Sequence, residues 1–99
     1  MIIREDDGRV RNEKFIATPP GCTIREQLED KAMSVEDFAH AMGLTLHEAN
    51  DLLIGVMEVT PSIAGRLEKV VGVSASFWQN LDGLYRDKLR WIEESEAEA

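Results

Sequence analysis

The sequence predicts an all-α fold: five helices built around a helix-turn-helix, with a long helix at the C-terminal end. Apolar residues recur at helical spacing in five separate segments. Those segments open on Ser, Thr or proline and most close on glycine. The stretch Ser34–Ile54 holds two of them, joined by a single tight bend at Gly43.

That central stretch organises the chain. Ser34 and Thr45 stand as N-caps, each followed three residues later by an acid, Asp37 and Glu48. The pattern is that of a capping box, in which side chains satisfy backbone N–H groups that a helix start leaves bare. Phe38, Ala39 and Met42 line one face of the first helix, and Ala49, Leu52 and Leu53 line one face of the second. Leu44 plugs the corner. This is the layout whose second helix is normally offered to the DNA major groove.

Before it, Thr18-Pro19-Pro20-Gly21 starts a helix running to about Lys31, with Ile24 and Leu28 inward. After it, Gly55 ends the second helix and residues 56–59 form a loop. Thr60-Pro61 opens a fourth helix, with Ile63, Leu67 and Val70 or Val71 inward and Gly72 at its end. Ser74 caps a fifth, whose apolar positions from Phe77 to Ile92 keep a helical period. Phe77 and Trp78 are expected to lock it to the bundle. Residues 1–18 read as an N-terminal arm, either extended or a short strand over Arg9–Ile16, and Arg9, Arg11 and Lys14 are its basic cluster. The expected organisation is arm 1–18, helix-turn-helix domain 19–92 and an acidic tail 93–99 that frays.

Composition sets the outer bounds. At 99 residues with 43% hydrophobic content the chain is a single soluble domain. No apolar run approaches the roughly 18 residues of a membrane span, and no leader is recognisable. The lone Cys22 is a small packing residue without an internal disulfide partner, which fits a reducing cytoplasm. His40 and His47 lie on different helices with no accompanying ligands, so no metal is expected. Neither a nucleophile elbow nor a phosphate-binding glycine loop occurs, so neither an enzyme nor a cofactor is expected.

Several motifs together resemble the HigA-type antitoxins of the XRE-like helix-turn-helix regulators. They are Pro19-Pro20-Gly21, Met33-Ser34, Phe38-Ala39, Met42-Gly43-Leu44-Thr45, Thr60-Pro61, Arg66-Leu67-Glu68, Val71-Gly72, and Phe77-Trp78-Gln79-Asn80-Leu81 with Tyr85. The resemblance covers roughly residues 17–89. It implies a lambda-repressor-like fold and a homodimer that binds operator DNA, represses its own operon and neutralises a toxin. Carried onto this chain, base contacts fall on Thr45, Leu46, His47 and Asn50, and phosphate contacts on Ser34.

The charges run the other way. The formal net charge is −8, and between Lys31 and Arg66 there is no lysine or arginine but five acids, Glu36, Asp37, Glu48, Asp51 and Glu58. DNA affinity rests largely on cations set against phosphates. Leu46, Val56 and Met57 are apolar where the family exposes polar or basic residues. The same residues therefore carry an alternative: an acidic helix-turn-helix that mimics DNA and inhibits a protein, as anti-CRISPR proteins do. On either reading Val56 and Met57 form a partner patch, and Tyr85, Leu89 and Ile92 form a dimer seam or toxin-binding stripe. For those three, folding back on the chain's own bundle stays open.

Overall fold

The computed structural model describes residues 1–98. Three two-residue strands come first: β1 (Ile3–Arg4), β2 (Val10–Arg11) and β3 (Ile16–Ala17). Five helices follow: α1 (Pro20–Asp30), α2 (Val35–Met42), α3 (Leu46–Leu53), α4 (Pro61–Val71) and α5 (Ala75–Ala97). The helical plan matches the sequence reading, as do the helix boundaries up to the start of α5, and the small sheet is added to it.

The caps explain the boundaries. Ser34 Oγ accepts from the Asp37 N–H at 3.0 Å, and Thr60 Oγ1 from the Ile63 N–H at 3.2 Å. Ser74 Oγ accepts from Phe77 N–H at the head of α5. At Thr45 the box closes both ways: Thr45 Oγ1 accepts from Glu48 N–H (3.1 Å), and Glu48 Oε1 from Thr45 N–H (2.9 Å). Gly43, at φ 70°, takes the left-handed conformation that turns α2 into α3 at little steric cost.

The main core lies between the helices. Phe38, Leu53, Ile24, Leu67 and Trp78 are all fully buried in it. Trp78 locks α5 to the bundle as expected, whereas Phe77 stays 39% exposed and meets Trp78 edge-on at 5.2 Å.

A second core was not legible in the sequence. The strands pair antiparallel in the order β1-β2-β3, with Val10 opposite Ala17 and Arg11 opposite Ile16. The inner side, Val10 and Ala17, packs on Tyr85 and Ile92 of α5, with Ile2, Phe15 and Leu89 around them. Tyr85 and Ile92 are therefore 4% and 0% exposed, and Leu89 is half-buried. That corrects the expected partner stripe: this side of α5 folds against the chain's own first seventeen residues. Nor does the helix fray at Glu93. It runs to Ala97, and Asn12 Nδ2 donates to Ser95 Oγ (2.7 Å) and to Glu96 (3.1 Å). The N-terminal ammonium pairs with Glu96, which holds that carboxyl below its ordinary range.

Helix α1 crosses α3 so closely that a Cβ at Gly21 would overlap the Leu53 backbone carbonyl. No rotamer relieves an overlap with backbone. Gly21→Ala is expected to destabilise the fold by about 3 kcal/mol, at the upper end of ordinary overpacking. A urea titration followed by circular dichroism checks it, and a loss under 1 kcal/mol means the two helices slide apart freely.

Candidate nucleic-acid interface

The outer face of α3 is the candidate site. Its inner residues Ala49, Leu52 and Leu53 are buried, which turns Leu46, His47 and Asn50 outward. Leu46 is 45% exposed. His47 Nε2 lies 3.3 Å from Asp51 Oδ2, one helical turn on. Asn50 is exposed, with its amide free to form the bidentate pair that reads adenine. Thr45 spends its hydroxyl lone pair on the cap, as Ser34 does at α2, and each keeps an O–H able to donate outward. The structure thus brings Thr45, Leu46, His47 and Asn50 onto one helix, with Ser34 at the head of the helix before it.

Two acids on this surface are held in fixed orientations. Glu48 is bound into the cap, and accepting the Thr45 backbone N–H is the main reason its carboxyl sits below the ordinary glutamate range. Asp51 is engaged with His47. Cations also arrive from outside the 32–65 stretch. Arg66 on α4 reaches the turn and donates from Nη1 to the Met42 carbonyl at 3.1 Å. Arg25 on α1 lines a hollow of about 230 Å³ together with Ser34 and Val35, at the N-terminus of α2. Sequence reasoning missed both, because neither lies near the motif along the chain.

The loop after α3 is fixed by Asp82, the buried charged residue of the core at 7% exposure. Asp82 Oδ2 accepts from the Val59 N–H at 3.2 Å, and its other oxygen lies 3.3 Å from Arg86 Nη2. The same Arg86 nitrogen reaches the Met57 carbonyl at 3.4 Å. Nothing in the sequence singled out Asp82, since an Asp–Arg pair four apart on a helix reads as a solvated pair. Of the expected partner patch, Val56 is 66% exposed, whereas Met57 is partly buried and packs against the main core. Leu53 and Val59 are core. Among the described residues no group of three or more His, Cys, Asp or Glu is placed to hold a metal ion, and no helix is long and apolar enough to cross a membrane.

Fold and site together define a helix-turn-helix regulator. No family model matches the chain. An HTH-type transcriptional regulator of Escherichia coli K12, YddM, is 36% identical over 66 residues, spanning 67% of this chain and 70% of its own. An addiction module antidote protein of the HigA family from Coxiella burnetii superposes with a TM-score of 0.72 at 26% identity, over 82% of this chain and 89% of that one. A Pseudomonas aeruginosa protein solved with its 18-base-pair operator DNA matches at 0.67 and 26%, over 81% and 90%. The chain belongs to the helix-turn-helix transcriptional regulators, and its fold is that of HigA-family antitoxins. These relatives are antitoxins and regulators rather than enzymes.

Two predictions follow from the contacts around α3. Thr45→Ala removes the cap and should cost about 1 kcal/mol in thermal or urea unfolding. Because Glu48 titrates lower in the fold than in the unfolded chain, its contribution is complete above its ordinary pKa. It is lost as pH falls through the depressed one. The gap between wild type and Glu48→Ala should therefore narrow on acidification, and a gap that is constant with pH refutes the assignment. Asp82→Ala leaves the Val59 N–H and Arg86 without their partner. It should cost about 2–4 kcal/mol, as expected for half of a largely buried pair, and speed hydrogen exchange at Val59 more than at Leu67.

Proposed function

We propose that this protein is an antitoxin and autorepressor that reads an operator through α3 and neutralises a toxin encoded beside it. In this reading Asn50 pairs with an adenine edge, while Thr45, Leu46 and His47 contact neighbouring bases. Ser34 and Arg25 hold a phosphate at the head of α2, and Arg66 holds one at the turn. The observation that carries the reading is the division of α3 itself. One face is fully committed to the core, and the other is presented outward with its amide unengaged. A relative solved on operator DNA supports it. The protein acts as a homodimer, since palindromic half-sites one helical turn apart call for two copies of the head. Val56 is its toxin-facing apolar contact.

The acidic stretch predicts the form the binding takes. With Arg25 and Arg66 as the phosphate cations of each head, log K should fall against log salt with a slope near −4 for a dimer, at roughly −0.9 per phosphate. Many repressors are steeper. Fluorescence anisotropy on the DNA upstream of the gene, in a salt series, measures it. Asn50→Ala should weaken the specific complex by about 1–3 kcal/mol, and Arg66→Ala should flatten the slope by about 2 units. No sequence preference even at low salt removes the operator half. The DNA-mimic alternative then stands on the five acids of residues 36–58, and partner capture that survives Val56→Lys removes the toxin contact.

A further inference from the structure

A cavity of about 320 Å³ opens where the strand turn, the end of α3 and the middle of α5 meet. That lies at the lower end of the range for small-molecule sites, about 300–1,000 Å³. Its floor is apolar: Val10 from β2, Ile54 and Val56 from the end of α3 and its loop, and Leu89 with the Tyr85 ring from α5. Around it most charges are matched in pairs. Asp7 holds Arg9 at 3.1 Å, Glu5 holds Arg11 at 3.2 Å, and Asp82 holds Arg86 at 3.3 Å. Among the described residues, one cation and one anion of the lining have no ion-pair partner, Arg4 and Asp6. Unpaired charges are ordinary on an open surface, but these two border one cavity. Arg4 shares the inner row of the sheet with Val10 and Ala17, and it stands close enough to Tyr85 to act on the ionisation of the phenol. The turn that carries Asp6 is closed by two backbone hydrogen bonds, from Glu5 N–H to the Arg9 carbonyl (2.8 Å) and from Gly8 N–H to the Glu5 carbonyl (3.0 Å). The rim is therefore set before any ligand arrives.

We propose that this cavity binds a single α-amino acid with an apolar side chain. Its carboxylate pairs with Arg4, its ammonium with Asp6, and its side chain covers Val10, Ile54 and Leu89. A carboxylate alone leaves Asp6 unmatched, and an amine alone leaves Arg4 unmatched. A zwitterion matches both. The polar groups nearest the floor are already engaged, which favours an apolar side chain over a polar one. Tyr85 gives its proton to the Gly8 carbonyl at 2.7 Å, and Arg86 spends Nη2 on Asp82 and on the Met57 carbonyl. The ligand touches all three walls, so it stiffens the junction that holds Ile54 and Gly55 at the end of α3. Binding to the folded state alone also adds to stability by mass action. The site lies away from the outward face of α3, and it goes beyond the operator reading without resting on it.

Proton–nitrogen NMR spectra of the full chain, taken without DNA, test it. Millimolar L-leucine or L-phenylalanine should shift the amides of Arg4, Gly8, Gly55 and Leu89 in a saturable way and raise the melting temperature. 3-Phenylpropionate lacks the ammonium and phenethylamine lacks the carboxylate, so each should bind roughly tenfold more weakly than phenylalanine. Arg4 and Asp6 are both exposed in the free protein. Arg4→Gln and Asp6→Asn should therefore leave the circular dichroism spectrum unchanged while weakening phenylalanine by a similar factor. In Asp6→Asn the preference for phenylalanine over 3-phenylpropionate should disappear, because the anion that demanded an ammonium is gone. No saturable shift with leucine, isoleucine, methionine or phenylalanine overturns the proposal. So does an analogue lacking one charge that binds the unaltered protein as tightly as phenylalanine, or a set of shifts confined to other parts of the chain. Failure to bind an operator leaves this site standing, and failure to bind an amino acid leaves the operator reading standing.

Discussion

Everything this molecule presents depends on how the C-terminal end of α3 is clamped. Three backbone approaches meet there, and each is closed to a side chain. The α1 backbone at Gly21 lies on the Leu53 carbonyl, the strand turn at Gly8 lies on the Ile54 carbonyl, and Gly55 sits against Tyr85 and Pro19. Tyr85 completes the clamp by donating its hydroxyl to the Gly8 carbonyl at 2.7 Å. Burial pushes that phenol above its ordinary pKa, so it stays protonated and able to donate. A short helix of eight residues has little stability of its own. Its orientation is imposed by the elements that grip its end.

The clamp links regions that the chain keeps far apart. The first strands, the loop after α3 and the middle of α5 all meet at Gly8, Gly55 and Tyr85, around a cavity of about 320 Å³ that Arg4 and Arg86 border. Asp82, one turn earlier on α5, and Arg86, next to Tyr85, then tie down the same loop. The outward face of α3 is thus rigidly placed relative to α5.

The helices were legible because their ends are written locally. Ser34, Thr45, Thr60 and Ser74 each cap where the sequence places them, and Gly43 and Gly72 end what they were expected to end. The sheet was not, because strands of two residues have no period to detect. That gap left the reading of α5 undecided. Tyr85, Leu89 and Ile92 form an apolar stripe with no visible partner in the sequence, which left a second chain and the chain's own bundle both open as its cover. The cover is Val10 and Ala17, more than sixty residues upstream. With that face filled, Phe77, Leu84 and Trp91 are the large apolar side chains that α5 leaves exposed. For the candidate interface, the outward placement of Leu46, His47 and Asn50 followed from the buried Ala49, Leu52 and Leu53. The approach of Arg25 and Arg66 did not, since it exists only in three dimensions.

The same distinction reconciles a net charge of −8 with a groove reader's backbone. Counting charges along residues 32–65 treats each acid as a free anion facing the duplex. In the folded chain the carboxylates of Glu48 and Asp51 are turned to the Thr45 cap and to His47, and positive charge comes from a guanidinium that reaches the turn from α4 and another that flanks the head of α2. The field at a few ångströms from α3 is set by these placements. At distances beyond a Debye length of about 8 Å in physiological salt it is largely screened. An acidic surround of this kind weakens non-specific attraction to any duplex, which is the sequence-independent part of DNA affinity. It takes much less from the hydrogen bonds by which an amide such as that of Asn50 distinguishes one base pair from another. The acidity therefore acts against indiscriminate binding first, and what remains is weighted toward contacts that read sequence.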